Sequence, residues 1–389
     1  MIGSRWSTVA LGDVLSLSLA PERVEPGRSY PALGVYGFGR GVITDKLPVR
    51  GSDIAAPVLF KVKAGQFIYS KLKAFEGAFA VVPDEADGRF VTNEFPTFDC
   101  HAERLDVGYL AWLFRLPATW TKLSEESTGI GARRERVHPE QVLRFRCILP
   151  PLAIQRSIAT CLDNVAERIA KRAAAAKKVE AELGSLLQAA FRKLAGHRRV
   201  RLSEVMKLRP TDTAVMPDEI YQFAGVYSFG RGVFRSVAKR GSETAYQRLT
   251  RLRQGNFVYP KLMAWEGALG IVPPICDGCF VSPEFPVFEI DQDAVLPELL
   301  ELHFRDRANW PKSTGTNVRR KRVHPEEFLR LEMPLPPLKQ QEALAEACRK
   351  AAVALTAQRD AAEELDKLLP ALLHEAFGEG TAARPRAAA

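Results

Sequence analysis

Two short basic runs are the residues best suited to chemistry here, and that chemistry is the recognition of phosphates and bases. Arg133, Arg134 and Arg136 follow Ser127-Thr128-Gly129, and Arg319, Arg320, Lys321 and Arg322 follow Ser313-Thr314-Gly315. Small flexible residues lead into forked guanidinium groups, which bind phosphate bidentately and can read guanine O6 and N7 in a major groove. A lone charge run is usually a solvated surface, but two at matching places in one chain point to a polyanion. Arg40 in Gly37-Phe38-Gly39-Arg40-Gly41 and Arg231 in Ser228-Phe229-Gly230-Arg231-Gly232 sit in tight turns and are further candidates for phosphate contact. A second strip holds Tyr69, Lys71 and Lys73, whose alternation puts them on one face of an extended segment. Tyr259 and Lys261 are its counterparts.

Other chemistries find little support. The glycine-rich turns do not make a dinucleotide site, because Ser228 replaces Gly37 and no strand–loop–helix with a ribose-binding acid follows. Cys276 and Cys279 have metal-knuckle spacing, but the first copy has Ala86 and Arg89 there, and a structural zinc needs four ligands. They read as structural cysteines, with no metal expected. There is no P-loop, no zincin helix, no Asn-Pro-Pro-aromatic motif and no paired acids with a nearby lysine, so no catalytic residue is expected. His138 and His324 each precede a proline and read as helix-start residues. Lys and Arg number 55 against 46 Asp and Glu, a formal +9 that suits a polyanionic partner. The six scattered cysteines are not a disulfide framework, and no apolar run is long enough to span a membrane. With no signal-peptide core at the N-terminus, a cytoplasmic location is expected.

These candidates lie on a duplicated chain of 389 residues. Residues 34–43 repeat as 225–234, and 64–83 as 254–273. Glu94-Phe95-Pro96 recurs as Glu284-Phe285-Pro286, Trp120 as Trp310, and 127–145 as 313–331. Within each copy, short apolar and aromatic runs at 66–70, 78–82, 90–92 and 97–99 are punctuated by Gly and Pro, the pattern of strands and turns. Residues 106–116 and 296–305 read as short helices. The expected fold class is α+β: two similar mixed, twisted sheets with short helices, each followed by a long helix. The expected boundaries are a first unit at 1–149, a helix at 150–195, a second unit at 196–335, a helix at 336–378 and a disordered tail at 379–389.

The long helices explain themselves as a pair. Ile158, Leu162, Val165, Ile169, Arg172, Ala176, Val179, Leu183, Leu186 and Ala190 recur at alternating steps of four and three, the seam of a helix packed along a partner. A lone helix of about 40 residues, roughly 60 Å long, would leave that stripe wet. The same spacing recurs at Leu344, Cys348, Ala351, Leu355, Gln358, Ala362, Leu365, Leu369, Leu372 and Ala376. An internal pseudo-twofold makes the pair an antiparallel coiled coil and brings the chain ends together. Gly184 and Pro370 occupy equivalent places, so both helices are expected to bend or loosen at one point.

With these residues assembled, the chain resembles the specificity subunit of Type I restriction-modification systems. The helix starts Pro150-Pro151-Leu152 with Gln155, and Pro336-Pro337-Leu338 with Gln341, look like that family's Pro-Pro-Leu-x-x-Gln pattern. The helix ends at 186–191 and 372–377 are similar to its close, and 65–78 and 255–268 to the central strand and turn of its target recognition domain. The resemblance covers residues 5–378. It implies a non-catalytic reader of double-stranded DNA with one recognition domain per half of a split target. The helices would hold two methyltransferase (modification) subunits, to which restriction/translocase subunits add. S-adenosylmethionine, ATP and Mg²⁺ would belong to those partners and none to this chain. Pro370, Arg172 and Gln358 depart from an uninterrupted apolar seam and put the length of the packed pair in question. An antiparallel pair of this length would separate two DNA-reading faces by tens of Å, so related, inverted half-sites with an uncontacted spacer are expected. The competing expectations are a DNA-binding scaffold of another defence complex with no methyltransferase, and an enzyme with an unrecognised site.

Overall fold

A computed structural model describes residues 6–125, 136–312 and 322–377. The chain forms two compact units, one of Met1–Ala174 with Asp360–Ala389 and the other of Ala175–Arg359. They do not end where the linear scheme drew its lines, because each long helix is divided between them. The expected tail at 379–389 lies outside the described residues.

In the first unit the central antiparallel sheet runs Phe79–Val81, Phe67–Tyr69, Thr97–Cys100, Leu15–Leu17. Phe67 and Tyr69 face one core, with Phe79, Phe98 and Phe114, while Ile68 faces another with Val82 and Val91. The strand is buried on both faces, which is why its residues are apolar without interruption. A second sheet orders Phe90–Val91, Val58–Lys61 and Pro21–Arg23. Ser7–Ala10 pairs antiparallel with Arg146–Leu149, so the unit's first strand closes against the one that precedes the first long helix.

The second unit repeats this plan. Met206–Leu208, Val287–Ile290, Phe257–Val258 and Gly270–Ile271 form the equivalent four-stranded sheet. Arg199–Arg201 pairs with Glu332–Pro334 in the closing position. The copies differ where Ile220–Val226 and Val233–Arg240 make a long hairpin in a five-stranded sheet. They differ again after the short helices Val107–Leu113 and Pro297–Arg305. The first unit adds the helix Pro117–Glu125, the second only the turn Arg307–Asn309.

One polar residue explains each Pro-Pro-Leu-x-x-Gln start. Gln155 is fully buried; its Oε1 accepts from the Asp106 backbone N–H at 2.8 Å, and its Nε2 donates to the carbonyls of Arg104 at 2.9 Å and Pro150 at 2.8 Å. Gln341 repeats this with Leu296 N–H at 3.1 Å and the carbonyls of Ala294 and Pro336, both at 3.0 Å. Each amide thus ties a long helix to the start of a short one and to the strand exit.

The first long helix, Leu152–Ala195, runs unbroken for 44 residues, roughly 66 Å, straight through Gly184. The second stops at Asp366 and resumes as Leu368–Phe377. The bend expected at both equivalent points therefore occurs in one helix only. Pro370 lacks an N–H and its ring crowds the carbonyl four residues earlier, at Asp366, whereas glycine merely tolerates a break. In the first unit the opening of the first helix (Ile158, Ala159, Leu162, Ala166) and the end of the second (Leu369, Leu372, Leu373, Phe377) share one core. In the second unit Leu183, Leu187, Ala190 and Phe191 of the first helix share a core with Leu344, Ala345, Cys348 and Ala351 of the second, and Arg359 bonds Glu180 at 2.6 Å. Start meets end in each unit, as an antiparallel pair requires.

The seam needs one correction. Leu162 and Leu344 are buried, and Val165, Ile169, Leu183, Leu355, Leu365 and Leu369 are half-buried, but Val179 is 50% and Leu186 66% exposed. Leu187 and Phe191 take the buried places at that end. An α-helix turns 3.6 residues per turn, so a strict seven-residue stripe drifts by ~20° each heptad and rotates off the packed face over this length.

Candidate nucleic-acid interface

The turn after the central strand positions the basic residues in both units. Gly77 and Gly267 have φ of +71° and +72°, and a Cβ there would lie 2.7 Å and 2.3 Å from the rings of Trp120 and Trp310. Glycine is required twice over, for the backbone and for the tryptophan seated on it. Each turn then receives the glycine-rich loop. Phe38 N–H donates to Glu76 O at 2.6 Å and Gly39 N–H to Gly77 O at 2.8 Å. In the second unit Phe229 N–H donates to Glu266 O at 2.9 Å and Gly230 N–H to Gly267 O at 2.8 Å.

The same turn anchors the exit of each basic run. Lys71 N–H donates to Glu94 O at 2.9 Å, Val137 N–H to Lys71 O at 3.1 Å, and Arg136 forms an ion pair with the Glu94 carboxylate at 3.3 Å. Lys261, Glu284, Val323 and Arg322 repeat the arrangement, with the ion pair at 3.1 Å. Glu94 and Glu284 in the repeated Glu-Phe-Pro thus tie the basic run to the sheet. Arg136, Lys71, Lys73 and the Arg40 loop are brought to one side of the first unit, and Arg322, Lys261 and the Arg231 loop to the matching side of the second. Met263 replaces Lys73 in the second copy. Arg133, Arg134, Arg319, Arg320 and Lys321 lie outside the described residues.

Tyr69 and Tyr259 do not belong to this surface. Both are fully buried, and their hydroxyls donate to the carbonyls of Val137 at 2.8 Å and Val323 at 3.3 Å. Burial pushes each phenol far above its ordinary pKa. The alternation with Lys71 and Lys73 fails because the strand ends at Tyr69 and the chain turns at once. The tyrosines hold the basic run's exit from within.

Three exposed aromatic residues in each copy join the surface instead. Tyr36, Phe38 and Phe75 are exposed in the first unit; Tyr227 and Phe229 are exposed and Trp265 is half-exposed in the second. The Arg40 guanidinium lies 5.1 Å from the Tyr36 ring centre and 6.0 Å from that of Phe38, and Arg231 lies 4.8 Å from that of Tyr227. Arg40 Nε also donates to Gly37 O at 3.2 Å, and Arg231 Nε to Ser228 O at 3.1 Å, so both guanidinium groups are held. Arginine over aromatic rings on a basic face is suited to nucleic acid, through phosphate contact and base stacking. Among the described residues Phe38 and Phe229 are the only non-glycine residues with positive φ, at +60° and +65°. Such a backbone costs on the order of 1–3 kcal/mol outside glycine. In both copies the sequence marks this position as Phe between Gly or Ser and Gly-Arg-Gly.

Cys276 and Cys279 are buried in a second apolar core beside Val258 and Val281, and burial pushes both thiols up. Among the described residues no cluster of His, Cys, Asp or Glu is placed to hold a metal, and no helix is long and apolar enough to cross a membrane.

No protein-family model matches this chain, and no curated protein matches it. Solved structures do. The chain is similar to the HsdS subunit from Thermoanaerobacter tengcongensis, with 19% identity, 97% of each chain covered and a TM-score of 0.57. It is also similar to a chain from a structure described as explaining complex assembly and conformational transition of the type I R-M system. That match has 19% identity, covers 98% of this chain and all of that one, and has a TM-score of 0.63. The chain therefore has the fold of Type I restriction-modification specificity subunits.

Proposed function

We propose that this chain is the DNA-reading, non-catalytic specificity subunit of a Type I restriction-modification complex. The observation that carries the reading is one surface built twice on that fold. In each unit, basic and aromatic side chains are anchored to the turn of the central sheet by the same hydrogen bonds. Each unit reads one half of a split double-stranded target. Phosphates meet Arg40, Lys71, Lys73 and Arg136 in the first unit, and Arg231, Lys261 and Arg322 in the second. Arg133, Arg134, Arg319, Arg320 and Lys321, from the same basic runs, are further candidates for DNA contact. The exposed Lys, Arg and Glu faces of the long helices dock two methyltransferase subunits, and restriction subunits add to that assembly in the cytoplasm. S-adenosylmethionine, ATP and Mg²⁺ act in those partners. Co-expression with a Type I methyltransferase (modification) subunit from the same genome tests the reading. The chain should co-purify with that subunit and make it methylate DNA. A DNA-binding chain that co-purifies with no methyltransferase would instead be the scaffold of another complex, and turnover of S-adenosylmethionine or ATP by the chain alone would contradict a non-catalytic role.

A further inference from the structure

We infer that Phe38 and Phe229 are DNA wedges, each inserting its ring at a base step of its own half-site while Arg40 or Arg231 holds the phosphate beside it. This rests on the DNA-reading function proposed above and adds the residues that deform the target. Folding alone gives no reason for phenylalanine at either place. A positive φ is adopted readily by glycine, tolerated by asparagine, and poorly suited to a bulky side chain. Yet the loop glycine before it changed to serine between the copies and the strained phenylalanine did not. Burial is not the reason, since the rings are 63% and 57% exposed.

What each ring touches is also informative. Phe38 makes a T-shaped contact with Trp120 at 6.2 Å between centres, and Phe229 a tilted one with Trp310 at 6.4 Å. Both tryptophans are themselves seated on Gly77 and Gly267, so the ring is braced from behind and open in front. The two backbone bonds to the turn hold the φ angle fixed. A cation lies beside each ring: Arg40 6.0 Å from the Phe38 ring centre in the first unit, and in the second Arg307, 5.7 Å from that of Phe229, while Arg231, two residues on, lies over Tyr227. A braced, exposed apolar ring beside a cation is the equipment of side chains that unstack and kink duplex DNA, which act most easily at flexible pyrimidine–purine steps.

The test uses the full chain and a pool of random-sequence duplexes of about 40 base pairs, long enough for two separated half-sites. Retained duplexes are sequenced and resynthesised with 2-aminopurine at successive positions. Wild-type protein should raise 2-aminopurine fluorescence at one step in each half-site. Phe38→Gly and Phe229→Gly should each remove the signal from one half-site only and weaken binding on the order of tenfold. Their thermal midpoints should be unchanged or higher, since glycine relieves the backbone. Phe38→Trp should retain the signal. A flat 2-aminopurine scan with wild-type protein, or glycine variants that bind the retained duplexes as tightly as wild type, would overturn the wedge while leaving DNA reading intact. Failure of wild type to retain any duplex would overturn both.

Discussion

Gln155 has no exposed surface, and its amide joins a backbone N–H to two carbonyls from separate parts of the first unit. Replacing it with leucine of similar size leaves three backbone groups without their partner, of which the Pro150 carbonyl is in a buried bond, where the loss costs about 1–3 kcal/mol. Gln155→Leu should therefore lower stability by about 1–3 kcal/mol in denaturant titration, and Gln341→Leu by a similar amount. His303 is buried against Phe191 and Phe304, and burial, helped by the Arg199 charge, lowers its pKa to about 4. The unfolded chain binds that proton near pH 6.5 and the folded chain does not. Stability should accordingly be full above about pH 6.5 and fall as the pH drops towards 4, by a few kcal/mol in all. His303→Leu should flatten that slope in thermal scans between pH 7 and 4. Both residues illustrate what a sequence conceals. Gln155 was visible as part of a recurring pattern, but its three bonds come from residues as far as Arg104. Nothing local distinguishes His303 from a surface histidine.

At the scale of the element, the first long helix gives the sharpest contrast between pattern and packing. A strict heptad puts Leu186 in the seam, whereas the structure leaves it 66% exposed and buries Leu187 to 8%. Leu187→Asp should cost several kcal/mol by placing an unpaired carboxylate in the second unit's core, while Leu186→Asp should change stability by less than about 0.5 kcal/mol. Leu162→Asp should behave like Leu187→Asp in the first unit, where Leu162 is 3% exposed beside Leu373. Thermal midpoints of the three variants decide this. The helix and its partner were legible because a periodic stripe needs only local sequence. Its rotation was not, because the drift between 3.5 and 3.6 residues per turn accumulates and the core nearest each end decides the face. The strands were legible for the same local reason. Phe67–Tyr69 and Phe79–Val81 fall within the apolar runs bounded by Gly65, Gly77 and Pro83. Tyr69 was misplaced because a tyrosine before two lysines looks like a surface alternation, and only the turn that follows it shows otherwise.

For the whole molecule, duplication did most to make the fold readable. It supplied a second copy of the elements that form each core, and the two units share their central sheet, closing strand pair and glutamine staple. It could not show that each compact unit is completed by the far end of the other copy's helix. Nor did it foresee the divergence at Ile220–Arg240, where the second unit extends a hairpin that the first breaks into short pieces. Since the two proposed DNA-reading surfaces differ at Lys73 against Met263, the half-sites proposed for them should be related but not identical. The central claim is that two units read two halves of one target, and mapping the methylated motif in cells that carry this chain with its methyltransferase tests it most directly. The expected result is a bipartite motif, two short specified halves flanking an unspecified spacer, that disappears when this chain is deleted. A continuous motif, or methylation indifferent to the deletion, would contradict it.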